Sequence, residues 1–91
     1  MYQLIIKPKA KKTLFRLHPK DRETALERVG KLRDNPFDPL LQAVKLADTQ
    51  RNYRIRIGRI RIIYELFIEE KIIFVRLVDY RRSGTYKSPW R

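Results

Sequence analysis

An α+β fold of order β-α-α-β-β-β, a helical hairpin packed on one face of a mainly antiparallel sheet, is predicted by three features of this sequence. From Tyr53 to Tyr64, apolar and basic residues alternate on both sides of Gly58, the period-two signature of strands with unlike faces. Residues 9–34 instead carry apolar residues at helical spacing, interrupted once at His18-Pro19. The length, 91 residues, suits one domain spanning 1–91, with a small core that buries about 60–65% of the unfolded chain's surface.

Taken in order, Tyr2 to Lys7 reads as a short strand ended by Pro8. Lys9 to Leu17 sets Ala10, Leu14 and Leu17 on one helical face. His18-Pro19 breaks that helix, because the residue before proline is pushed out of the helical region. Lys20 to Asp34 resumes the period, with Ala25, Leu26, Val29 and Leu32 on one face, and Asn35-Pro36 ends it. A join of about two residues makes the pair an antiparallel helical hairpin. Phe37-Asp38-Pro39-Leu40-Leu41, with two prolines beside an apolar cluster, reads as a loop tucked against the core. Lys45-Leu46 follows, and residues 47–52 form a polar connector. Beyond the hairpin, Leu66-Phe67-Ile68 runs to a turn at Glu69-Glu70-Lys71. Ile72 to Asp79 is a third strand, with Ile73, Val75 and Leu77 toward one face and Arg76 toward the other.

The hairpin sets the candidate site. Gly58-Arg59 suits a two-residue turn, because glycine accepts the positive φ such turns need. That turn puts Ile57 opposite Ile60, Ile55 opposite Ile62 and Tyr53 opposite Tyr64, an apolar face for the helices to cover. The other face then holds Arg54 opposite Ile63 and Arg56 opposite Arg61. The solvated side of any half-buried sheet alternates in this way. Like charges directly opposed, however, destabilise a ladder, and a polyanion laid across them reverses that sign. Arg54, Arg56 and Arg76 are therefore candidate phosphate-binding residues.

Composition narrows the partners. Lys and Arg number 22 against 10 Asp and Glu, a net charge of +12, which points to nucleic acid, an anionic membrane or an acidic protein. From residue 51 onward there are nine Arg and two Lys, whereas residues 1–50 hold seven Lys and four Arg. Arginine forks match phosphate bidentately and lysine acts as a point charge, so the second half is the one built for close anion contact. The tail from Tyr80 to Arg91 interleaves basic and aromatic residues, a composition suited to stacking and phosphate contact.

With no cysteine, disulfides and thiolate metal sites are excluded. His18 cannot form a zinc site alone and reads as a surface turn residue. Glu65, Glu69, Glu70 and Asp79 form no convincing carboxylate cluster for magnesium, so no metal and no cofactor are expected. The absence of a long apolar run or a signal-peptide core argues for a cytoplasmic protein without a membrane span.

These residues resemble the RelE/ParE toxin superfamily. The resemblance is carried by the short βαα unit, by Lys45-Leu46, by Tyr53-Arg54-Ile55-Arg56-Ile57-Gly58 with Arg61-Ile62-Ile63-Tyr64, and by the late Arg81, Arg82 and Tyr86. It spans nearly the whole chain and implies a toxin silenced by an acidic cognate antitoxin. Its RelE branch implies an endoribonuclease that cuts mRNA in the decoding site of the ribosome; its ParE branch implies poisoning of DNA gyrase by binding. Short helices favour the RelE branch, since ParE-like members have a longer helical hairpin.

On the RelE pattern, Arg54 and Arg56 stand where the family has basic residues on the first hairpin strand. Arg61 stands at a phosphate-binding arginine on the second. Arg81 or Arg82 matches a late basic residue proposed to protonate the leaving group, and Tyr86 a tyrosine that stacks on or orients the nucleotide. Arg56 departs from the pattern, because members often carry there a lysine proposed as general base, and a guanidinium is a very poor base. Either Arg56 only binds phosphate, or the attacking hydroxyl is deprotonated otherwise. A third reading is a non-catalytic basic RNA-binding module.

Overall fold

Each helix of the hairpin begins at a proline, whose fixed φ and missing N–H suit the first helical position. The computed structural model describes residues 1–80 and runs β1 (Gln3–Ile6), α1 (Pro8–Arg16), α2 (Pro19–Asp34), β2 (Val44–Lys45), β3 (Asn52–Ile57), β4 (Ile60–Phe67) and β5 (Ile72–Tyr80), with a 3₁₀ turn at Pro39–Leu41 before β2. His18 is the N-cap of α2, its Nδ1 accepting from the Lys20 amide at 3.2 Å. This is the surface turn role expected of it.

The strands form one sheet in the order β1-β5-β4-β3-β2. β1 lies parallel to β5, and every other neighbour is antiparallel. Two helices on one face of a mostly antiparallel sheet is the predicted α+β arrangement, with one strand more. The added strand, β2, is two residues long and pairs Val44 with Arg54 at the sheet edge, too short to leave a periodic signal.

Ala10, Leu14 and Leu17 of the first helical segment and Ala25, Val29 and Leu32 of α2 are buried against Ile55, Ile57, Ile60, Ile62, Tyr64, Ile73, Val75 and Val78. Leu26, expected in that stripe, is 45% exposed. Ala25, Val29 and Leu32 recur at four and three residues, and Leu26 falls one step around the helix from that line. The expectation of a loop tucked against the core also needs correction. Leu41 is buried, but Phe37 and Leu40 are exposed, because the 3₁₀ turn capped by Asp38, whose Oδ1 accepts from the Leu40 amide at 3.0 Å, directs only Leu41 inward.

A bulge in β5 makes the third correction. Tyr64 pairs with Val75 and Ile63 with Leu77, leaving Arg76 as the extra residue. A bulge reverses the alternation of the strand beyond it. Val78, not Leu77, is therefore fully buried, and Leu77 joins Ile63 on the face away from the helices.

Tyr64 is fully buried and stacked on Tyr53, ring centroids 5.7 Å apart and 16° from parallel. Its hydroxyl has no hydrogen-bonding partner among the described residues, and burial, then the neighbouring Tyr53 phenol, raise its pKa above the ordinary tyrosine value. An unsatisfied buried hydroxyl costs about 1–3 kcal/mol. Tyr64→Phe should thus raise stability by about 1 kcal/mol in urea unfolding at neutral pH. The folded state holds this proton more tightly than the unfolded one. Wild type should therefore lose stability as pH rises past the ordinary tyrosine value of about 10, and the Phe variant should lose less. A variant less stable than wild type by 1 kcal/mol or so would contradict the unpaired hydroxyl.

Candidate nucleic-acid interface

The register of β3 on β4 follows from the turn. Gly58 has φ +57°, and it is the only turn residue of the pair with positive φ, the arrangement of a type II′ turn. Ile57 pairs with Ile60, Ile55 with Ile62, Tyr53 with Tyr64, Arg54 with Ile63 and Arg56 with Arg61, each as predicted. Continued across β5, the face away from the helices reads Arg56–Arg61–Asp79, then Arg54–Ile63–Leu77, then Asn52–Glu65–Phe74 with Ile5 of β1 beside it. Arginines gather at the hairpin end of the sheet, and apolar side chains at the other.

The sequence candidates fall on this face with different surroundings. Arg56 is exposed and Arg54 half-buried. Arg61, expected on an open surface, is only 9% exposed. The reason is its strand: β4 is central, so Arg61 has Arg56 as cross-strand neighbour on one side and Asp79 on the other. Arg76, thrown outward by the bulge, lies 3.7 Å from the Glu65 carboxylate in a half-exposed ion pair. Arg81, Arg82 and Tyr86 lie outside the described residues. Tyr80, the last described, pairs with Ile60, at the arginine end of the sheet.

Two cations on the same side went unnoticed in the sequence. The Lys7 ammonium lies 4.8 Å from the Phe74 ring centroid, and the Arg51 guanidinium 5.0 Å from that of Phe67. The two rings meet edge to face at 5.6 Å. Phe67 and Phe74 occupy strand positions out of phase with the core, which was the available signal. The acidic neighbours were also missed. Asp79 and Glu65 stand beside arginines and hold part of the charge that crowds this face. Among the described residues, no group of three His, Asp or Glu is placed to hold a metal ion. His18 does approach the hairpin end, but on the helix side, where its backbone N–H donates to the Tyr80 hydroxyl at 2.9 Å. No helix of the described residues is long and apolar enough to cross a membrane.

No protein-family model matches this chain. The toxin RelE1 of Methanocaldococcus jannaschii is 33% identical to it over 79 residues, which are 86% of this chain and 87% of the relative. Among solved structures, the archaeal RelE–RelB complex from Pyrococcus horikoshii matches with a TM-score of 0.79 at 26% identity, over 91% of this chain and 98% of that one. The isolated E. coli RelE toxin shares the fold with a TM-score of 0.79 at 21% identity, over 93% of this chain and 89% of that one.

The opposed pair Arg56–Arg61 should cost the isolated protein stability. Arg56→Gln removes one charge from an exposed position and should leave the fold as stable as wild type or more stable, by roughly 0.2–1 kcal/mol at low salt. The same change should weaken binding to single-stranded RNA and flatten its salt dependence by about one counterion. Denaturant unfolding and RNA titration on one preparation check both; a marked loss of stability would make Arg56 a structural residue.

Proposed function

This chain belongs to the RelE toxin family, the toxin half of a toxin–antitoxin system, and from that premise we propose that it is a metal-independent endoribonuclease acting on mRNA held on the ribosome. The observation that carries the reading is the placement of Arg56 opposite Arg61 on the sheet face the helices leave uncovered, at the end where residue 81 follows Tyr80. Opposed guanidinium groups cost a fold energy in isolation and recover it when an anion sits between them.

RNA supplies its own nucleophile. The 2′-oxygen bonds to the adjacent phosphorus, the bond from phosphorus to the 5′-oxygen breaks, and the 2′ proton is lost as the leaving oxygen gains one. The products are a 2′,3′-cyclic phosphate and a free 5′-hydroxyl. Arg61, with Arg54 and Arg56, neutralises the charge that grows on the phosphoryl oxygens. Such groups act cheaply because they are oriented before the reaction begins, and one donor of this kind is worth about 3–4 kcal/mol of barrier. Arg81 or Arg82 gives the proton to the leaving oxygen, and Tyr86 stacks on the nucleotide. Arg76 binds the RNA backbone farther along the face. Arg56 takes the phosphate-binding role, since a guanidinium does not serve as base. Deprotonation of the 2′-hydroxyl then depends on how the ribosome holds the message.

On this reading Tyr86→Ala lowers the cleavage rate on programmed ribosomes about tenfold, or about 1.4 kcal/mol, the size of one base-stacking contact. Ribosome binding changes much less, because it rests on many phosphate contacts. Purified mRNA is cut slowly or not at all. Primer extension with and without ribosomes decides this: equal cutting of naked RNA rules out dependence on the ribosome. Growth arrest with no cutting at all favours the topoisomerase-inhibitor reading.

The partner that silences it is an acidic antitoxin covering the arginine face. Opposite charge steers such an encounter, so the association rate in stopped-flow mixing should fall steeply between about 50 and 500 mM salt. A rate indifferent to salt would argue that the antitoxin docks elsewhere.

A further inference from the structure

A pair of phenylalanines marks the end of the sheet opposite the arginines. On the face away from the helices, Phe67 pairs with Ile72, and Phe74 stands between Glu65 and Ile5. Both rings are half-buried, and neither belongs to the buried core of the described residues or packs against it. They sit on adjacent strands and meet edge to face at 5.6 Å. Aromatic side chains on the open face of a sheet are a platform on which single-stranded bases stack. What covers these rings is cationic: Arg51 lies over Phe67 and Lys7 over Phe74, and both cations are exposed.

That cover is exchangeable. A base stacked on a ring contributes more than an exposed cation over the same ring, and the displaced cation is left free to meet the nucleotide's phosphate. A depression of about 290 Å³ opens beside Phe67 and Arg51, walled by Gln50, Glu69 and Glu70. Its acids repel a phosphate and an acidic peptide alike, whereas a base edge can donate its amino group to them. We propose that Phe67 and Phe74 form a base-stacking subsite for single-stranded RNA, continuous with the arginine face. Arg61 and Phe67 lie on the same strand, β4, about 20 Å apart at the strand rise, so one RNA strand of a few nucleotides spans both ends. Arg76 and Leu77 of β5 lie between them. The inference rests on the reading of this face as an RNA surface, and not on whether the RNA is cut.

The probe is a 2′-O-methyl oligocytidylate of about twelve nucleotides, within the range one small domain covers. It lacks the attacking hydroxyl, so it reports binding alone. Its control is an abasic strand of the same length and charge. By fluorescence anisotropy, wild type should bind the base-bearing strand about tenfold more tightly. Phe67→Leu and Phe74→Leu keep an apolar side chain. Each should lose about threefold of that preference and bind the abasic strand as wild type does, with its salt dependence unchanged. Arg56→Gln, by contrast, should weaken both strands alike. Equal affinity of wild type for the two strands would overturn the proposal, as would leucine variants that keep the full preference.

If a leucine variant fails to fold, ring-proton NMR of the wild type decides the same point. The Phe67 and Phe74 signals should shift with the base-bearing strand and hold still with the abasic one. Rings that respond to both strands equally, or to neither, carry no stacked base, and the proposal fails. Leucine variants that bind the oligonucleotide normally but lose affinity for the antitoxin would assign the rings to the protein partner and overturn the RNA subsite. A wild type that shows the base preference but cuts no message on ribosomes would sink the nuclease reading and leave the subsite standing.

Discussion

Gly58, at φ +57°, holds Ile57 opposite Ile60, and from that pairing follows the identity of both faces of the sheet. With a side-chain period of two, a slip of one residue would carry Ile55, Ile57, Ile60 and Ile62 to the outer face and drive Arg54, Arg56 and Arg61 into the helices. The helical stripes of Ala10, Leu14, Ala25, Val29 and Leu32 are complementary to only one of those registers. Turn and core therefore specify the same answer from opposite ends, local backbone chemistry on one side and burial on the other. The arginine face is the remainder of that agreement, not an independent construction.

The same period explains what could be read from the sequence and what could not. The β3–β4 face was legible residue by residue, because an uninterrupted alternation and a glycine turn leave one register. The Ile73–Val75 face was legible up to Arg76 and misassigned beyond it, because a bulge inserts one residue without any mark in composition. Leu77 and Val78 are both apolar, so either phase satisfies the pattern. Leu26 and Ala25 posed the same ambiguity on α2, with two adjacent apolar residues competing for one stripe. The smaller one is buried and the larger exposed. Arg61 was placed on the correct face but with the wrong exposure, because depth within a sheet depends on which strands flank it. That order, β1-β5-β4-β3-β2, includes a parallel β1 that no local signal announces.

Electrostatics on this face is a compromise between two requirements. A chain with net charge +12 must hold its cations apart to stay folded and must bring several together to grip a polyanion. The fold answers with acids at chosen points. Asp79 adjoins Arg61, and Glu65 adjoins Arg76. Each is on or next to a strand end or a bulge, where the ladder is weakest, and each leaves Arg56 outside its reach in the register. Rings do the same work without charge, as Phe67 and Phe74 lie under Arg51 and Lys7. A phosphate competing for Arg76 meets a partner held in a half-exposed ion pair, so its displacement costs little.

The position of the one histidine sharpens the chemical consequence. His18 accepts from the Lys20 amide at Nδ1, its backbone N–H donates to the Tyr80 hydroxyl, and it sits on the helix side of the sheet as part of the cap. No other imidazole exists in the chain. On the proposed reading, proton transfer at the arginine face has only guanidinium, ammonium, phenol and carboxylate groups to draw on, and the first of these is a very poor base. Catalysis there must come mainly from charge held in place in advance, with the nucleophile, its alignment and its loss of a proton left to the RNA and to what holds it. On that reading such a site is slow toward a freely tumbling RNA strand and competent toward one presented in an in-line geometry. A chain of this size, with its hydrophobic core on one side of a single sheet, can build the first half of that arrangement from strands alone, and on the proposed reading the second half falls to the surface that presents the message.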